Sequence, residues 1–225
     1  MWICPKILFL AFVTAVLGVL QSGCTANAVQ PPVRSEQASV VAESRDPLDE
    51  VSSEPIRKIL ESTMRQTETT TGYTQDYFSI DYPNGDVPRE TGACTDVVIR
   101  AFRNAGVDLQ KEVHEDMRAN FRAYPQKWGL TRTDTNIDHR RVPNLQVFFE
   151  RKRKALPISA DPSSYQPGDV VSWDLNGKGL THIGIVSHIK DKATGSPMII
   201  HNIDSGTRLE DRLFEWKITG HFRYF

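Results

Sequence analysis

Helical periodicity confined to the earlier part of the chain, and β-branched runs confined to its end, predict an α+β domain on an antiparallel sheet. The overall balance agrees with one such domain. The 225 residues carry a net charge of −1, with 24% charged and 39% hydrophobic residues. That length supports a single core, and nothing in the charge points to a polyanion-binding protein. An N-terminal apolar run and a polar stretch after it place the domain at residues 54–225.

The chain opens "MWICPKILFLAFVTAVLGVLQSGC". Lys6 precedes an uncharged apolar run, Ile7 to Leu20, of 14 residues. This is shorter than the ~20 needed to span a bilayer and fits a signal-peptide core. Ser22 and Gly23 then precede Cys24, so residues 1–23 resemble a lipoprotein signal with Cys24 as the lipidated residue. Gln21 stands where that pattern usually has leucine. Ordinary cleavage and an uncleaved anchor are the alternatives, and all three export the protein. The expected location is the periplasmic face of the cell envelope, held by lipid at Cys24. Thr25 favours the outer membrane. Residues 24–53 are polar and proline-bearing and read as a flexible tether.

From Glu54, "EPIRKILESTMRQTE" places Ile56, Ile59, Leu60 and Met64 at helical spacing. An aromatic segment with Asp-Tyr-Pro-Asn-Gly-Asp turn chemistry follows and reads as a long ordered loop. A helix starting near Cys94 carries Val98, Ala101, Phe102 and Ala105 on one stripe, and Gly106 closes it. "LQKEVHEDMRANFRAYP" predicts a helix running to Pro125, and "PNLQVFFERKRK" another with proline in its first turn. Beyond Pro157, "GDVVSWDL", "THIGIVSHI", "PMIIHNID" and "KITGHFRYF" are strands, separated by the turn-like "NGKG", "KATGS" and "DSGTRLED".

Cysteine usage singles out one residue. Cys4 leaves with the signal and Cys24 takes lipid, so the exported domain retains only Cys94, without a disulfide partner. Four residues before Val98, Cys94 falls on the inward stripe at the helix N-terminus. Backbone N–H groups and the macrodipole there favour a thiolate, and a neighbouring histidine supplies a base. Of six histidines, His182 begins a strand on one face with Gly184 and Val186. His201, on the next strand, is the natural orienting residue. Asn202 faces the other way and ranks second, with Asp96 and Asp204 lower. Without such partners a lone cysteine on an apolar stripe is ordinary core.

"GACTDVVIRAFR", "PGDVVSW", "HIGIVS" and "MIIHN", in this order, resemble the papain-like NlpC/P60 superfamily of cell-wall peptidases. "YPNGDVP", "DLQKEVHEDM", "DTNIDHRRVPNLQVFF" and "TGHFRYF" resemble more closely the bacterial family DUF1287, over roughly residues 55 to 225. The resemblance implies a papain-like fold with Cys94 as nucleophile, His182 as base and His201 as third residue. It implies a thiol hydrolase that cleaves an amide in peptidoglycan stem peptides or cross-links. Many such peptidases have "DCSG" where this chain has "ACTD", which directs attention to Asp96 as a substrate contact. Tyr82, in the aromatic loop with Tyr73, Tyr77 and Phe78, and Asn202 complete the substrate-contact candidates.

Rival readings stay in view. The cleft can serve a catalytically silent peptide- or glycan-binding module, or an acyltransferase or transpeptidase using the same thioester chemistry. No cofactor, metal or nucleic-acid partner is expected. "DTNID" lacks a calcium loop's glycine, and "HEDMR" lacks a zinc helix's second histidine. A zinc site on Cys94, His182 and His201 is chemically feasible but disfavoured. The basic runs "HRR" and "RKRK" read as solvated faces.

Overall fold

A computed structural model describes residues 47–225. The apolar run Ile7–Leu20, Cys4, Cys24 and most of the expected tether lie outside the described residues. Among the described residues, no helix is long and apolar enough to cross a membrane. The fold is α+β, with helices α1 (Glu54–Thr69), α2 (Cys94–Asn104), α3 (Leu109–Ala119) and α4 (Val142–Arg151). Strands β1 (Ala155–Leu156), β2 (Val170–Asp174), β3 (Thr181–Lys190), β4 (Pro197–Asn202), β5 (Thr207–Glu210) and β6 (Lys217–Phe222) form one antiparallel sheet, in the order β1-β6-β2-β3-β4-β5.

The sheet separates two apolar layers. On one face, Val170, Ile183, Ile185 and Phe222 pack against Val98, Phe102, Leu145, Phe148 and Phe149 from the helices. On the other, Val171, Trp173, Val186 and Ile199 are covered by Tyr165, Leu213 and Trp216. Period-two alternation along each strand assigns neighbouring residues to opposite layers.

The end of α2 follows its sequence. Gly106, with φ +87, ends the helix: its N–H donates to the Arg103 carbonyl, and the Val107 N–H to that of Phe102. Two predicted helices stop early. α3 ends at Ala119 rather than near Pro125, because the Asn120 side chain donates to the Asp116 carbonyl and a short 3-10 turn, Phe121–Ala123, follows. α4 ends at Arg151 because Arg153 turns left-handed, φ +58, and delivers Ala155–Leu156 to pair with β6.

Two strands were absent from the sequence reading. β1 is only two residues long. β5 lies in the polar "DSGTRLED" and forms the sheet edge beside β4, where an exposed face suppresses the apolar signal. The aromatic segment before Cys94 is the expected ordered loop. Its backbone closes on itself through Thr71 and Gly72 N–H bonds to the Glu90 carbonyl, and Thr74 N–H to that of Gly92.

Candidate active site

Cys94 is the first residue of α2, 6% exposed. Ala93, at the N-cap, has no side-chain acceptor, so Asp96 reaches back alone to accept from the Ala93 N–H at 2.6 Å. The N–H groups of Cys94 and Thr95 lie by the thiol sulfur. Burial pushes Cys94 up to about 12. The N–H of Ile183 and those of Thr95 and Cys94 itself act in the opposite direction, while the Asp96 charge adds to the rise. The resting state is therefore a neutral thiol, not the depressed pKa that helix position alone suggests. Desolvation outweighs the helix-end field.

The two expected histidines meet. His182 Nε2 and His201 Nδ1 lie 2.8 Å apart, both rings buried. Burial and the neighbouring His201 push His182 down to about 3. Burial also lowers His201, against the opposing pull of Glu210. His201 Nε2 stands 3.1 Å from a Glu210 carboxylate oxygen, ion-pair distance without the alignment of a hydrogen bond. This chain fixes the tautomers. With its Nε2–H toward Glu210, His201 accepts at Nδ1 from His182 Nε2–H, and the basic lone pair of His182 falls on Nδ1. That nitrogen makes no hydrogen bond among the described residues. Trp173 and Trp216 flank His182, with ring centroids 5.9 and 5.8 Å away.

Gly184 makes this contact geometrically feasible. Extending the Ile185–Ile200 register sets it across from His201. A Cβ there would stand 2.8 Å from Ile199 Cγ2, 3.0 Å from the Ile200 carbonyl oxygen and 3.1 Å from His201 Cβ. The glycine lets β3 and β4 approach closely enough for the diagonal pair His182 and His201 to touch.

Cys94 approaches β3 from the other side. Its sulfur lies by the N–H of Ile183, the residue after His182, and it packs with Ile183 and Ile185 in the helix-side layer. The His182 and His201 rings belong to the Trp173 and Trp216 side. No hydrogen bond joins the thiol to either imidazole among the described residues.

The substrate-contact candidates separate. Asp96 is buried and gripped by Arg140, with Nε and an outer nitrogen 2.9 and 3.0 Å from its two oxygens. Arg140 also donates to the Asp76 carbonyl and lies over Phe78, so the pair ties the α2 start to the aromatic loop. Part of the "HRR" run is thus core rather than solvated face, because Asp96 compensates Arg140. Asn202 is buried on the helix side, where its amide donates to the carbonyls of Gly72 and Gly92, stitching β4 to the segments flanking Cys94. Tyr82 is 40% exposed and meets His114 edge-on at 5.1 Å, against α3. Tyr73 is the loop aromatic within electrostatic reach of the thiol. Burial raises its phenol, and Cys94, Asp204 and Asp96 raise it further.

Sequence reasoning missed Glu210 and the Asp96–Arg140 pair. Strand periodicity in "TRLE" is the only signal for Glu210. Asp169, in the "GD" turn, accepts from buried His221 at 2.7 Å and from Arg223, fastening β2 to β6. Among the described residues no group of three or more His, Cys, Asp or Glu side chains is arranged to hold a metal ion.

Fold and site thus define an α+β protein with a buried helix-start cysteine against a sheet that carries a histidine pair backed by a carboxylate. The chain belongs to the family described as Domain of unknown function (DUF1287), whose model matches residues 60–224. A relative from Escherichia coli (strain K12), "Uncharacterized protein YijF", is 54% identical over 169 residues, covering 74% of this chain and 80% of the relative. No solved structure matches the chain.

Proposed function

We propose that this protein is an exported thiol hydrolase of papain-like, NlpC/P60 type that cleaves an amide in peptidoglycan stem peptides or cross-links. The observation that carries this reading is the 2.8 Å contact between His182 and His201 on β3 and β4, with Glu210 behind it and the Cys94 sulfur against the N–H of the residue after His182.

In this mechanism Cys94 Sγ attacks the scissile carbonyl as its proton passes to His182 Nδ1 by way of an intervening water at the start of β3, since thiol and imidazole lie on opposite faces of the strand. Because thiol and imidazole are both neutral at rest, proton transfer accompanies attack rather than preceding it. N–H groups at the start of α2 receive the oxyanion. The imidazolium then protonates the leaving amine. A thioester remains, and water activated by the same nitrogen hydrolyses it. His201 and Glu210 hold the His182 tautomer through both half-reactions. The N-terminal signal, with lipid at Cys24, would present this domain to the cell wall.

The test is mass spectrometry of defined stem-peptide fragments incubated with the protein and with Cys94→Ala. New amine and carboxylate termini formed only by the wild type support the reading. Turnover that survives in Cys94→Ala overturns it. The burial of Cys94, with its thiol pushed up to about 12, favours a second reading: a silent binding module that holds an envelope peptide or glycan. Fragment binding of equal affinity in both proteins, without turnover, would select it.

A further inference from the structure

A concavity lies away from the thiol. α1, the last two turns of α2 and the segment from Asp86 to Arg89 enclose a cavity of about 440 Å³. Cys94 begins α2, whereas Arg100 and Arg103 line this cavity. At ~1.5 Å rise per residue, they stand roughly 9 to 14 Å further along the helix.

The lining is cationic beyond what the fold uses. Arg65, Arg89, Arg100 and Arg103 meet there with one carboxylate, Asp86. Arg100 is committed to structure. Its Nε lies 3.0 Å from both Asp86 oxygens, and its outer nitrogens donate to Thr70 and to the carbonyls of Val87, Pro88 and Thr91. Arg103 donates to the Gly85 carbonyl and lies 3.4 Å from Asp108, but its Nε has no partner among the described residues. Arg65 bonds only the Asn104 side chain, at 3.3 Å, and the Arg89 guanidinium has no hydrogen-bond or ion-pair partner among the described residues. Neither has a carboxylate partner among those residues.

The floor adds an independent sign. Gln66 is 5% exposed and lines the cavity. Its Nε2 donates to the Val97 carbonyl, leaving a buried Oε1 without a donor among the described residues. An orphaned acceptor beside two uncompensated guanidiniums matches an anion that also brings an O–H, as hydrogen phosphate and protonated pyrophosphate do, or a phosphate monoester whose alcohol part carries a further hydroxyl.

We propose that this cavity binds a phosphate monoester or pyrophosphate. Two guanidiniums lacking carboxylates match a dianion, and their planar donor forks fit phosphate oxygens two at a time. Fixed Arg100 and Asp86 hold the floor, so binding requires only that Arg65 and Arg89 close over the anion. The ligand's source is a soluble phosphorylated molecule or a phosphatidic acid headgroup, and the two are separable by experiment.

The experiment is calorimetric titration of the full chain, at low ionic strength in chloride buffer, with pyrophosphate, inorganic phosphate and succinate. Binding to vesicles of phosphatidylcholine with and without phosphatidic acid is measured in parallel. The double variant Arg65→Ala, Arg89→Ala is the control, since neither side chain supports the fold beyond one exposed bond to Asn104. The proposal expects saturable binding of one pyrophosphate per chain, weakened about tenfold or more in the double variant. Binding only to vesicles containing phosphatidic acid, lost in the double variant, supports the same site with a lipid source. Absence of binding in both arms, binding indifferent to the double variant, or succinate binding as tightly as pyrophosphate overturns it.

Discussion

His182 Nε2 and His201 Nδ1 stand 2.8 Å apart, although they lie nineteen positions apart in the chain with a hairpin turn between them. Two neutral imidazoles that meet Nε2 to Nδ1 must share one tautomer, both Nε2–H or both Nδ1–H, and which of the two decides which ring donates. The direction is set from outside the pair. Glu210 stands at the far nitrogen of His201, so the donating proton belongs to His182 and its free lone pair to Nδ1. The relationship is useful chemically only if that direction holds.

Replacing Glu210 with Gln tests it. The amide keeps the volume but can present either an acceptor or a donor to His201, so the tautomer preference weakens. Nitrogen chemical shifts of the His182 and His201 rings should move toward a tautomer mixture while the fold's thermal midpoint changes little. Turnover should drop about tenfold, less than the roughly 10²–10⁴-fold that a general base itself contributes, because His182 stays in place. Unchanged ring shifts would show that Glu210 is a bystander.

Gly184→Ala tests the strand approach. The new Cβ meets Ile199 and the Ile200 carbonyl inside normal contact distance. β3 and β4 must part, costing about 1–3 kcal/mol as overpacked cores do. Chemical denaturation should report that loss, and the shift signature of the histidine contact should disappear with it. A variant as stable as wild type, with the contact intact, would mean the strands tolerate the methyl.

How much of this was legible depends on where the signal sits. The stripe Val98, Ala101, Phe102 and the stop at Gly106 write α2 into the sequence, and with it the position of Cys94. Alternation in "HIGIVS" and "MIIHN" brings His182 and His201 to one face. Glu210 was not legible, because β5 is a polar edge strand whose pairing rather than composition makes it a strand. The Asp96–Arg140 pair joins residues 44 apart in the chain, and no local pattern connects them. The resting charge of Cys94 was misread for a related reason: helix position is local, whereas burial by β3 and the helix-side core is not.

The buried histidines also predict how stability follows pH. Burial, and the charge of nearby groups, push His182 and His139 down to about 3. Unfolded, each titrates near 6.5, so between about pH 3 and 6.5 the unfolded chain binds up to two more protons than the native one. Stability must therefore fall as pH drops through that window. Asp138, pushed by burial up to about 6, works with the opposite sign between roughly pH 4 and 6 and offsets one of the two protons. These three groups leave a slope of about 1.4 kcal/mol per pH unit near pH 5, and His201 and His114, which burial also lowers, act in the same direction. Urea titrations from pH 4 to 8 should show it, flattened in His139→Gln. A flat profile in the wild type would mean both rings are hydrated and charged in the native state.

The ion pair between Asp96 and Arg140 carries the last prediction. Both side chains are almost wholly buried, and between them they join the start of α2, the Asp76 carbonyl and the segment before α4. Asp96→Ala leaves a guanidinium inside the protein without its counter-charge, and Arg140→Ala leaves a carboxylate in the same position. Each single change should cost about 3–5 kcal/mol. Removing both avoids the stranded charge, so the double variant should be less damaged than the sum of the singles, with a coupling of about 1–3 kcal/mol in a denaturation cycle. The double variant also separates support from chemistry. It frees the α2 start from the aromatic loop while leaving Cys94, His182 and His201 in the sequence. If the pair only holds the cysteine's helix in register, fragment turnover should drop in the double variant and recover in part with Asp96→Asn, which retains two of the polar contacts. If Asp96 itself touches substrate, Asp96→Asn should change which fragment is cut. Simple additivity of the two single losses would show that the residues act independently, and that the pair does not tie the nucleophile's helix to the loop.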